Sequence, residues 1–131
     1  MVKKWFIIIA ILAVLIAGSI LEDRFVNKAF DEMVSDLNTY VIMLNESESD
    51  ISTKENVDYL ENLHKDFHEK EKLLKILIWH TGLKDIEVSI SRIKSYVVEN
   101  DFTEAITETK ALIDYCEHYS LDFDISAENV L

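Results

Sequence analysis

Proline is missing from these 131 residues, glycine occurs only as Gly18 and Gly82, and Cys116 is the single cysteine. Without proline no helix interior loses a backbone donor, and two glycines are too few for collagen-like or linker-like chains. One cysteine cannot make an intramolecular disulfide, so a folded domain here must be held by packing. Cys116 itself falls on an apolar stripe, where a small buried side chain is its expected role. Basic residues are scarce: 13 against 25 acidic ones, a formal charge of −12. All 25 acidic residues and 11 of the 13 basic ones lie beyond Leu21, leaving −14 on that part. Such a surface repels nucleic acid and anionic lipid headgroups, so no nucleic-acid partner is expected, while cations and basic protein surfaces stay open. A glycine-rich phosphate loop, a paired-cysteine motif and a Gly-x-Ser-x-Gly elbow are also missing.

What the chain does have is one long apolar run, Trp5 to Leu21, in which Ser19 is the only polar side chain and eleven of seventeen residues are Ile, Leu, Val or Phe. As a helix it covers about 25 Å, the short end of a hydrocarbon core, and each large apolar residue favours insertion by about 0.3 to 0.6 kcal/mol. Lys3 and Lys4 precede it and Glu22 and Asp23 follow. Lysines are retained on the cytoplasmic side, so the expected order is a cytoplasmic stub at 1–4, a transmembrane signal anchor at 5–21 in contact with the bilayer, and an extracytoplasmic domain at 22–131. A second reading is a secreted protein, cleaved after Ser19 beside the small residue Ala17. Against it, the helical pattern continues past Gly18 into Phe25. Ala10, Ala13 and Ala17 also form a stripe that permits close helix approach in lipid.

Beyond the run 110 residues remain, enough for one domain. Phe25, Ala29, Met33, Leu37, Tyr40 and Leu44 recur at helical spacing, with Phe30, Val34 and Val41 widening the stripe. Asn45 to Ser52 has no period and reads as a connection. Ser52 with Glu55 predicts a capping box opening a second helix, in which Val57, Leu60, Phe67, Leu74 and Ile78 share a seam that also passes through His64 and Glu71. Gly82 is expected to close that helix in the left-handed conformation, with His80 on its last carbonyls, and Asp85 to cap a third helix carrying Ile86, Ile90, Ile93 and Val97. Asn100-Asp101 breaks it. Phe102, Ala105, Ile106, Leu112, Ile113, Cys116 and Tyr119 mark a fourth, and a short helix begun by Ser126 is expected to pack back at the end. Short connections make neighbours antiparallel, so the fold class is all-α: an N-terminal transmembrane helix followed by an antiparallel up-down bundle of about four helices.

His80 with Leu83, Asp85 and Ile86, the Ile90-Ser91-Arg92-Ile93 stretch, then Asp101, Glu104 and Ala105, and the closing Ser126-Ala127-Glu128-Asn129-Val130-Leu131 resemble the bacterial domain-of-unknown-function family numbered 4363. Phe67 stands where that family would carry tryptophan. The resemblance implies a small membrane-anchored helical protein, known mainly from Gram-positive bacteria, placed in the cell membrane beside a multi-spanning membrane protein. It lends no catalytic residues.

Candidate chemistry centres on the histidines. His64 and His68 share a helix face, and Glu61-x-x-His64 is half of a di-iron motif, but no second Glu-x-x-His accompanies it. A mononuclear zinc site from His64, His68 and one carboxylate is the alternative reading, a metal-binding protein or small metal-dependent enzyme. Glu46, Glu48 and Asp50 alternate with serines but lack the glycine and terminal glutamate of a calcium loop. No complete set emerges, so no catalytic, cofactor-binding or metal residue is assigned. The leading expectation is an interaction or accessory module for an integral membrane protein.

Overall fold

The computed structural model describes the backbone of residues 2–77 and 80–130, and within these the side chains except at 22–23, 76–77, 80–81 and 119–130. With neither proline nor glycine between Ser19 and Asn45 to interrupt it, the first helix, α1, runs unbroken over Val2–Glu46, 45 residues or about 68 Å. Its two parts differ completely in surroundings. From Val2 to Leu21 every residue but Gly18 is exposed, and this part is long and apolar enough to cross a membrane. From Val26 onward the heptad positions Val26, Ala29, Phe30, Met33, Leu37, Tyr40 and Leu44 are buried.

Three more helices complete the fold: α2 (Lys54–Leu77), α3 (His80–Val98) and α4 (Phe102–Val130). α1 packs on α2 and α4, α3 packs on the same two, and among the described residues neither diagonal pair meets. The result is a square, up-down four-helix bundle with no strand among the described residues. Cross-helix pairs show the antiparallel sense directly, the partner's number falling as the chain advances: Glu32 with Lys70 and Asp36 with Tyr59, Glu87 with His64 and Lys94 with Glu61, Gly82 with Tyr115 and Arg92 with Glu108. The core is one apolar column, with Leu60, Leu63, Phe67 and Leu74 from α2, Leu83, Ile86, Ile90, Ile93 and Val97 from α3, and Ala105, Leu112, Ile113 and Cys116 from α4. Burial first, and then the charge of Glu117, pushes the Cys116 thiol up to about 12, as expected of an inert core cysteine.

Both described connections meet at one end of the bundle. Ser47 N–H and its hydroxyl donate to Met43 O and so end α1. Ile51, fully buried, plugs the bundle end. Asn56 secures the loop, its side-chain amide donating to Ser47 Oγ at 2.8 Å and to Ile51 O at 2.9 Å. Across the end, Asn100 takes the left-handed conformation (φ 58°). Its N–H donates to Val97 O and that of Asp101 to Tyr96 O, the Schellman closure of α3. Asn100 Oδ1 accepts the N–H of Ile51 at 2.9 Å, tying one loop to the other, while Asp101 Oδ1 accepts from Glu104 N–H to cap α4.

Five local expectations need correction. Thr53, not Ser52, caps α2, accepting Asn56 N–H on Oγ1; the Ser52 hydroxyl is already bonded to Asp50 Oδ1 at 2.6 Å. Gly82 is helical and no described glycine has positive φ, because α3 starts at His80, a turn and a half before Asp85, and Leu83 extends its buried seam backward. Asp85 is therefore an exposed residue inside α3 rather than its cap, and His80 belongs to the start of α3 rather than the end of α2. Finally, α4 continues through Ser126 to Val130 as one helix, since nothing between Phe102 and Val130 breaks it. Ile78, Trp79 and the side chains of His80 and of Tyr119 to Val130 lie outside the described residues.

Candidate functional site

Halfway along the bundle, the α2–α3 seam departs from an apolar core. In α2 the heptad that buries Leu60, Phe67 and Leu74 also carries His64 and Glu71, and His68 lies one turn after His64 on the same face. α3 presents Glu87 directly opposite. Its neighbour Ile86 is fully buried, so Glu87 stands at the edge of the core with its side chain 24% exposed.

The geometry is close. His64 Nε2 lies 2.7 Å from Glu87 Oε2, and His68 Nδ1 lies 3.4 Å from Glu87 Oε1 and 3.5 Å from Glu71 Oε2. The other Glu71 oxygen meets Lys75 Nζ at 3.3 Å. Glu71 is the deep member, 8% exposed, and His68 the outer one, 66% exposed. Burial pushes the Glu87 carboxyl up, yet hydrogen bonding to Glu71, His64 and His68 and the charge of His64 together hold it below the usual carboxylate range. One ligand atom each from His68, Glu71 and Glu87 lies within 4.8 Å of the other two. An imidazole and two carboxylates so placed can hold a proton or a cation between them.

The structure thus brings His64 and His68 together with a carboxylate, but one from the facing helix. Glu61, the acidic member of the half-motif, turns away to Lys94 at 3.1 Å. Asp50 is bonded to Ser52, and Glu46 and Glu48 are exposed, so the acidic run at the first connection is a solvated loop. Sequence reasoning noted Glu71 only as a flaw in the seam and passed over Glu87. The charge at Glu71 on an otherwise apolar heptad was the available signal; for Glu87 there was none within its own helix.

A second polar feature lies between α1 and α2. Lys70 Nζ meets Glu32 Oε2 at 2.6 Å, and Tyr59 donates to Asp36 O at 2.8 Å while stacking on Tyr40, ring centres 5.5 Å apart. The Tyr40 hydroxyl is buried without a hydrogen-bond partner among the described residues.

Comparison with protein families finds one whose model covers residues 24–130, described as a domain of unknown function, DUF4363. The chain belongs to that family. The match begins one residue before Phe25, where α1 enters the bundle, so the DUF4363 domain comprises the four packed helices and not the exposed apolar run. No curated protein and no solved structure matches the sequence.

Proposed function

We propose that this protein is a membrane-anchored accessory module: residues 5–21 cross the cell membrane with the N-terminus inside, and the acidic DUF4363 bundle stands outside, against an integral membrane protein. The observation that carries this reading is the unbroken α1, which joins an apolar stretch with no protein cover to the core of the bundle. A flexible tether would only raise local concentration. A continuous helix does more, because the rotation of the span then sets the rotation of the bundle, and a partner touching both meets one rigid surface. Lys3 and Lys4 on one side and Glu22 and Asp23 on the other support the orientation.

Protease added to intact cells should remove a C-terminal tag, and crosslinking in native membranes should capture one integral protein. Inserting a single residue between Leu21 and Arg24 turns the bundle by about 100° relative to the span and should abolish that crosslink, while a seven-residue helical insertion, close to two full turns, should partly restore it. A mature chain beginning after Ser19, a tag protected until lysis, or membranes that yield no integral partner would each overturn the reading.

A further inference from the structure

We infer that the α2–α3 seam is a binding site for one divalent transition-metal ion of the zinc class, ligated by His68, Glu71 and Glu87, with His64 holding Glu87 in place. This goes beyond the anchoring role and does not depend on it.

Donor spacing is the first argument. Two ligands bound at about 2.0 to 2.1 Å and the tetrahedral angle stand about 3.4 Å apart. His68 Nδ1 stands 3.4 Å from Glu87 Oε1 and 3.5 Å from Glu71 Oε2, and one oxygen of each carboxylate lies within 4.8 Å of the other, so an ion set among the three is reached once the two carboxylates close on it. Charge is the second. Glu71, more than nine-tenths buried, faces a second carboxylate across the seam, an arrangement that is costly unless a proton or cation lies between. Lys75 partly offsets the charge of Glu71 but stands on its other oxygen rather than between the two carboxylates, reaching in from a half-exposed position.

The role of His64 follows from its contact with the opposite oxygen of Glu87. With Oε2 held at 2.7 Å, Oε1 is turned towards His68 and Glu71, an outer hydrogen bond of the kind that orients a ligating carboxylate. The mixture of imidazole and carboxylate favours zinc and its first-row neighbours over calcium or magnesium, whose sites are built from oxygen. Three protein ligands, the outermost of them 66% exposed, leave a position open to water and a route for the ion to enter.

The full-length protein, made without a polyhistidine tag, stripped with chelator and placed in zwitterionic nanodiscs, provides the test by calorimetric titration with Zn2+. The expected result is one Zn2+ per chain, undisturbed by millimolar Mg2+ or Ca2+. His68→Ala and Glu87→Gln should each weaken binding at least a hundredfold, and His64→Ala ten- to a hundredfold, with helicity by circular dichroism unchanged. His68 is exposed, so its replacement leaves the fold intact even where a Glu87 variant does not. Absence of saturable binding, or wild-type affinity in His68→Ala, would overturn the site.

Discussion

Asn56 and Glu71 lie on the same helix about four turns apart and are almost equally buried, 3% and 6% exposed, yet the bundle treats them in opposite ways. Around Asn56 both amide hydrogens are matched, by Ser47 Oγ and Ile51 O, and the neighbouring Ile51 N–H is matched in turn by Asn100. Around Glu71 the nitrogen partners are longer, at 3.3 and 3.5 Å, and the remaining partner is itself a carboxylate, that of Glu87. A neutral, fully matched network fixes where the loops sit. A cluster richer in acceptors than donors is poorly suited to holding a fold and well suited to taking up a cation.

That contrast can be broken at either end. The largest effect is expected from Asn56→Ala, which leaves Ile51 O without its amide donor inside the bundle end and should cost about 2 to 3 kcal/mol in chemical unfolding; a loss below about 0.5 kcal/mol would show that the loop network is not structural. Asn100→Ala should cost about 2 kcal/mol, because alanine is strained at φ 58° and Ile51 N–H loses its acceptor. Asn100→Gly relieves the backbone and should recover about half, so equal losses in the two variants would remove the backbone strain from the account, and an Asn100→Gly variant as stable as wild type would remove the cross-loop hydrogen bond.

At the seam the sign reverses. Glu71→Leu replaces a loosely matched buried carboxylate with an apolar side chain facing Leu74 and Phe67, and should raise metal-free stability by about 1 kcal/mol while removing an ion ligand. A strongly destabilised Glu71→Leu would make the cluster structural after all. The smallest effect is one of pH. Because the Glu87 carboxyl is held below its ordinary range in the folded protein, the unfolded chain binds that proton more tightly. The contribution of Glu87 to stability is therefore complete above the unfolded pKa and is lost as pH falls through the folded one. Melting temperatures of Glu87→Gln and wild type should converge on acidification across the carboxylate range, and a constant gap would show that Glu87 contributes no charge-dependent stability.

Where structure follows from interactions within one or two turns, it was legible in the residues. The 3.6-residue recurrence of Leu37, Tyr40 and Leu44, of Leu60, Phe67 and Leu74, of Ile86, Ile90 and Ile93, and of Leu112 and Cys116 determined four helices with one buried face each, and the unbroken run into Phe25 determined that α1 continues. Asn100-Asp101 determined its turn, because asparagine tolerates the left-handed region and aspartate caps the next helix. Even locally, competition can mislead. Ser52 had the right spacing to cap α2, but its hydroxyl is bonded to Asp50, and the cap moved to Thr53. Gly82 looked like a terminator, yet a glycine is permitted rather than obliged to leave the helix, and the burial of Leu83 against the other helices draws it into α3. Only the tertiary structure decided the seam: Glu87 meets His64 from 23 residues away. That meeting depends on how α3 is rotated and shifted against α2, a consequence of the whole apolar column from Leu83 to Val97 packing at once, which no spacing within a single helix encodes.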